Sequence, residues 1–249
     1  MKDRTFFLGW QDHQTHAWYP VGRLDASGKG DRYQFVYTRG ALKARAQSGF
    51  EPLYDFPSFE KTYESPDLFP LFKNRIMTPH RRGFQEYLKL LDLEGMEPDP
   101  LEIVAIDGGY RATDAFQVFP KIEKDNDGRF TSRFFLHGWR HVSNPAQRRL
   151  DTLVPGEALY VAVELNNPAT ITALQLQTED YHMIGWAPRY LVHDLMYAMT
   201  HAPGEMSAKV LRFNAMPAPS KQRVLIELKG HLPDSHTPME YDEFLMLGD

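Results

Sequence analysis

Glu227 and Lys229 end an apolar run, Val224–Leu225–Ile226–Glu227–Leu228–Lys229, with the spacing E-x-K. On a strand, residues two apart share a face, so this pair could hold a divalent cation and orient a water, the arrangement of a metal-dependent nuclease. That chemistry also needs an upstream Asp. Between Asp194 and Glu227 the only acid is Glu205, in a Pro-Gly loop, and the alternation favours a plain final strand with Glu227 and Lys229 facing solvent. His137 and His141 have the H-x-x-x-H spacing that pairs two ligands on a helix. The segment reads as strand, however, where about 3.3 Å per residue sets them roughly 13 Å apart, too far to share one metal. Gly22 to Gly28–Lys29 resembles a phosphate loop, but it has five residues between the glycines and Gly30 after the lysine, so a hairpin turn is the better reading. Cysteine is absent, which excludes disulfides, thiolate nucleophiles and Cys-ligated zinc. Neither H-R-D-x-x-x-x-N nor D-F-G occurs. The expectation is a non-catalytic protein with no metal and no cofactor.

Binding chemistry is better represented. Arg129, Arg133, Arg140, Arg148 and Arg149 fall in a stretch without any acid, interleaved with Phe134, Phe135 and Trp139. Cations for phosphates and π-faces for bases are what a single-stranded nucleic acid groove requires. A second basic run, Arg32, Arg39, Lys43 and Arg45, reads as a solvated face. The formal charge of −5 is matched by residues 231–249 alone, which carry Asp234, Glu240, Asp242, Glu243 and Asp249 and no Lys or Arg. No apolar run reaches the roughly 18–20 residues that span a bilayer, and the N-terminus is not a secretory signal. A soluble cytoplasmic protein without membrane partners is expected.

The elements that must position these residues can be read from period. Leu159, Val161, Val163 and Leu165 alternate with Tyr160, Ala162 and Glu164, predicting a strand with one buried face. Asn167–Pro168 breaks it, Leu174 and Leu176 mark a second strand, and Met183–Trp186 a short third. Pro188 suits the first turn of a helix over 189–200. Further strands are expected at Arg133–Val142, Lys209–Asn214 and Arg223–Lys229, giving about five strands and one main helix, the inventory of a partly open OB-like or SH3-like barrel. The N-terminal half reads as a hairpin (Trp18–Leu24, Tyr33–Tyr37), an irregular Pro-rich stretch over 41–82, helices at 84–91 and within Asp99–Gly109, and a strand at 115–120. The fold class is therefore α+β. Boundaries are drawn at 1–124, 127–235 and an acidic tail, 236–249, with Asp125–Gly128 as the turn between halves.

The C-terminal half resembles the HIRAN domain through Asn167, Pro168, Ala173, Leu174, Gly185, Pro188, Arg189 and Leu191. The resemblance implies a β-barrel that binds single-stranded DNA or DNA ends, with a groove at Trp139, Arg140, His141, Asn167, Thr170, Trp186 and Arg189. Arg140 and Arg189 would hold phosphates, and Trp139 or His141 would stack on a base. Where the family's 3′-end binders have an aromatic and an Asp, this chain has Ala169 and Thr170, so general strand or end binding is expected rather than reading of a 3′-hydroxyl. Residues 6–120 resemble the N-terminal subdomain of HipA-type toxin kinases, on Val21, Gly22, Leu24, the Tyr33-Phe35-Tyr37 strand, Leu71–Ile76 and Asp99–Gly109. That implies an interaction module without a kinase body. The alternative function is then a protein-binding module that regulates a HipA-like kinase or another effector, with the Phe-rich 50–72 segment suited to an interface.

Overall fold

The continuous apolar run Phe6–Phe7–Leu8 and the residues from Trp18 form two long neighbouring strands, β1 (Arg4–Gln11) and β2 (Trp18–Ala26), each with consecutive buried positions. A computed structural model describes residues 3–247 and divides the chain into two units. Unit 1 takes the residues up to Phe84, then Pro98–Lys121 and the stretch from Pro238; unit 2 is Gln85–Glu97 with Ile122–Thr237. The class is α+β, with two antiparallel sheets and six α-helices among the described residues.

In unit 1, β3 (Tyr33–Tyr37), β4 (Tyr63–Ser65) and β5 (Phe116–Pro120) complete a sheet of order β4-β3-β2-β1-β5. The turn after β2 is the expected hairpin, closed by Ser27 N–H to Arg32 O at 2.9 Å. The stretch read as irregular contains α1 (Arg39–Ser48) and α2 (Pro70–Lys73). Helix α1 buries only Gly40, Ala41 and Ala44, so it lacks the bulky period that marks a helix in sequence. Gly40 is needed there, because a Cβ would come within 2.1 Å of Pro20 O. Helix α4 (Pro100–Asp107) begins at Asp99, whose carboxylate accepts from the Leu101 and Glu102 amides while Glu102 returns a bond to Asp99 N–H, a capping box.

Two segments of unit 1 singled out in the sequence are packed into the fold. Phe50, Phe56, Phe59 and Phe72 are core residues packed with Phe35 and Tyr37, so the Phe-rich segment is the interior of the unit rather than a free interface. The acidic stretch near the C-terminus is folded, not a loose tail. Phe244 is buried edge-on against Phe7 with ring centroids 4.7 Å apart, Arg39 N–H donates to Leu245 O, and Leu247 N–H donates to Tyr37 O. Asp242 pairs with Arg39 at 2.8 Å, Glu243 with Lys43, and Glu240 with Lys121 at 2.6 Å. Part of the second basic run is thus neutralised by these acids. Gly248 and Asp249 lie outside the described residues.

In unit 2, β6 (Arg129–Phe135), β7 (Ala158–Asn167), β8 (Ile171–Thr178), β9 (Met183–Trp186), β10 (Ser207–Phe213) and β11 (Val224–His231) form a sheet of order β6-β11-β10-β7-β8-β9. One face buries Phe130, Phe134, Leu174, Leu176, Val210, Ile226 and Leu228. Helix α6 (Val192–His201) packs Leu195 and Ala198 toward β8 and β11. It begins three residues later than expected, after a 3₁₀ turn at Arg189–Leu191. Two shorter helices, α3 (Phe84–Leu90) and α5 (Asn144–Leu150), complete the count. The strand ladder does not close into a barrel. An isolated bridge links the segment after β6 to β9, with His137 and Trp186 exchanging N–H···O bonds of 2.9 Å each.

Strand β7 departs from its expected burial. Leu159 is buried, but Val163 is largely exposed and Leu165 is 68% exposed. Pairing with β10 reaches only Ala158 and Leu159, so the far end of the β7–β8 hairpin lacks a neighbour on that side. No helix among the described residues is long and apolar enough to cross a membrane.

Candidate nucleic-acid interface

The segment expected to continue as strand through Val142 stops at Phe135. Gly138 adopts φ +68°, and a Cβ there would lie 2.4 Å from the Trp186 ring. Only glycine tolerates both the backbone and the contact. The chain therefore turns, and Trp139–His141 form a 3₁₀ turn instead of strand positions. The strand-based separation of His137 and His141 is corrected accordingly. Among the described residues no group of three or more His, Asp or Glu side chains is arranged as metal ligands.

The turn fixes Trp139 firmly. Its indole N–H donates to Ser220 O at 2.8 Å, and the Arg223 guanidinium lies 5.9 Å from its ring centroid, itself held by Asp151 at 2.7 Å. Arg140 and His141 are exposed. Beneath them His137 is half-buried, and its pKa is lowered to about 4, first by burial and then by the charges of Arg189 and Lys221. The imidazole therefore stays neutral, while two cations from distant parts of the sequence stand close enough to act on it.

At the hairpin tip the side chains serve one another. Asn167 Oδ1 accepts from the Ala169 amide (2.9 Å), the Thr170 amide (3.1 Å) and the Thr170 hydroxyl (3.1 Å), and its Nδ2 donates to Glu164 at 3.0 Å. These are the bonds of an Asx turn. Asn167 and Thr170 thus shape the tip with the groups expected to meet a ligand. Trp186 Nε1 donates to Glu164 Oε2 at 2.5 Å. That bond holds the Glu164 carboxyl below its ordinary range; burial opposes the effect, and Asn167 and Gln175 add to it.

No family model, curated protein or solved structure matches this chain. The reading of the site consequently rests on its geometry and chemistry.

The seven expected residues form two groups. Trp139, Arg140, His141, Trp186 and Arg189 are tied together through the His137 bridge, while Asn167 and Thr170 reach the first group only through Glu164 and Trp186. Three participants escaped sequence reasoning. His137 was considered only as a metal ligand, Lys221 is far away in sequence, and Glu164 was read as a strand's solvent face. Of the five arginines in the acid-free run, Arg129 meets Glu205 at 3.8 Å, Arg133 meets Glu227 at 3.3 Å, and Arg149 pairs with both Glu157 and Asp180. Among the described residues Arg140 and Arg148 carry no ion pair. Glu227 stands on the sheet face away from the core, as expected, but its carboxylate is covered there by Arg133, Lys209 and Lys229.

Proposed function

We propose that unit 2 is a non-catalytic nucleic-acid-binding module that takes single-stranded DNA or DNA ends on the face around His137, in the manner of a partly open, HIRAN-like, OB-like or SH3-like sheet. The observation that carries this reading is the convergence on one neutral imidazole of Arg189 and Lys221, beside the exposed Arg140 and the fixed indole of Trp139. Two cations that both act on His137, with the Trp139 indole two residues along the chain, suit phosphates and a base respectively. Phosphate contacts supply most of the affinity, so binding depends strongly on salt. Neutralisation of two to three phosphates on a single strand gives a slope of log K against log salt of about −1.4 to −2.

The test is an anisotropy titration of labelled oligothymidylate across a salt series with the full chain and with Arg140→Ala and Arg189→Ala. Both variants should bind more weakly with nearly unchanged melting. A flat salt response, or no binding at low salt, sinks the proposal. A 3′-phosphate on the oligomer should change affinity little, since Thr170 donates its hydroxyl within the Asx turn and supplies no carboxylate for a terminal hydroxyl. The protein-interaction alternative is weakened by the burial of the Phe-rich segment on which it drew.

A further inference from the structure

The solvent face of the unit 2 sheet carries a second constellation. Residues directly opposite on paired strands share a face, as do residues two apart on one strand. Lys209 on β10 pairs with Ala158 on β7 and with Glu227 on β11, and Glu227 pairs with Arg133 on β6. Tyr160 follows Ala158 by two, and Lys229 follows Glu227 by two. All of these therefore stand on the face opposite Leu174, Leu176, Val210, Ile226 and Leu228 in the core.

Two features on this face require explanation. Tyr160, 48% exposed, stacks on Tyr181, 75% exposed, with ring centroids 5.7 Å apart and planes 28° from parallel. A mutually stacked, exposed pair of rings offers a planar apolar surface on which a base can lie. Beside them Arg133, Lys209 and Lys229 crowd a single carboxylate, Glu227, at 3.3, 3.3 and 3.4 Å. Three cations around one anion leave the cluster positive. With strands about 4.8 Å apart, Tyr160 and Lys229 lie roughly 10 Å from each other across the sheet.

We infer that this face is a docking platform for single-stranded nucleic acid, with a base on the Tyr160–Tyr181 pair and the backbone over Lys209, Lys229 and Arg133. The inference rests on the reading of unit 2 as a nucleic-acid-binding module but uses none of the residues around His137. The positive cluster selects a polyanion, and adjacent stacked rings select one that carries planar bases, which distinguishes nucleic acid from an acidic peptide. Glu227 acts as a spacer that keeps the three cations gathered.

The experiment compares labelled oligothymidylate with an abasic oligomer of the same length on the full chain. The wild type should prefer the oligothymidylate. Tyr160→Ala with Tyr181→Ala should lower its affinity by on the order of tenfold and remove the preference, since a stacked base contributes about 1–3 kcal/mol. The corresponding double Phe variant keeps both rings and should bind like the wild type. Lys229→Ala should make the salt slope shallower by about 0.7. If the double Ala variant retains both affinity and preference while Arg140→Ala and Arg189→Ala lose binding, the platform is overturned and the function proposed above stands. The reverse pattern supports the platform and removes the His137 face. Equal loss on both oligomers, or equal competition by polyglutamate, overturns base stacking here. No binding of either oligomer at low salt overturns both readings.

Discussion

His137 sits where burial and two cations act in the same direction, and its pKa of about 4 has consequences that can be measured. In the unfolded chain an imidazole titrates near 6.5. Between these values the unfolded state binds more protons, so the contribution of His137 to stability is fully present above about pH 6.5 and is lost as pH falls toward 4, by on the order of 3–4 kcal/mol at most. Urea unfolding of the wild type and of His137→Gln from pH 4 to 7 should show a slope that the variant lacks. A bound phosphate near Arg189 and Lys221 would cancel their effect and raise the pKa. The His137 imidazole resonance, followed by NMR with and without oligonucleotide, should titrate at higher pH in the complex, and affinity should rise as pH falls toward 4, since burial, the larger cause of the lowered pKa, remains in the complex. Gly138→Ala meets both a left-handed φ and the Trp186 ring, so it should cost about 2 kcal/mol or more in chemical denaturation. The sequence contained that glycine in plain view. Its importance was not legible because nothing local indicates that Trp186, on another strand, occupies the space above it.

The β7–β8 hairpin shows how elements, more than residues, were readable. Its strands, its Asn-Pro break and the short β9 follow from period and turn chemistry that act within a few residues. What the alternation of Leu159 to Leu165 could not convey is how far the neighbouring strand extends. Since β10 covers only the start of β7, the same pattern yields a buried Leu159 and an exposed Leu165. Leu165→Thr should therefore change stability by less than about 0.5 kcal/mol, whereas Leu174→Ala in the core should cost about 2–5 kcal/mol; urea midpoints of both variants check this. Helix α1 illustrates the converse. It was unreadable because small residues, Gly40, Ala41 and Ala44, make its contact, and small residues leave no amplitude in a hydrophobic pattern. The Trp139–His141 turn was likewise missed, and with it the correct geometry of the most important part of the candidate interface.

Across the whole chain, the division into units does not follow a single cut. A break between 124 and 127 would part α1 and Phe7 from Phe244, and would part Asn214 and Arg212 from Leu90 O (3.0 Å) and Asp92 (3.6 Å). Fragments 1–124 and 127–249 should each lack cooperative melting in calorimetry; a sharp transition from 127–249 alone would show that the 85–97 segment is dispensable. Phe244→Ala should lower the stability of unit 1 by about 3–5 kcal/mol, read from denaturant unfolding. These long-range closures are what charge composition concealed. An acidic C-terminal stretch and a basic run near residue 40 look like two independent solvated features until Asp242 and Glu243 are found against Arg39 and Lys43.

Because unit 1 takes its strands and helices from the first 121 residues and a covering 3₁₀ turn from the stretch after Pro238, synthesis imposes an order on it. The segment from Pro238 that covers Phe7 and Phe119 leaves the ribosome only after all of Ile122–Thr237. Until then the nascent chain exposes the apolar surface that Phe244 will cover, while unit 2 already has every residue it needs. Unit 2 thus has its whole sequence while unit 1 still waits for the segment that carries the 3₁₀ turn Asp242–Phe244. A chain cut after Thr237 would therefore carry every residue of unit 2 while the apolar surface of unit 1 under Phe244 stayed uncovered.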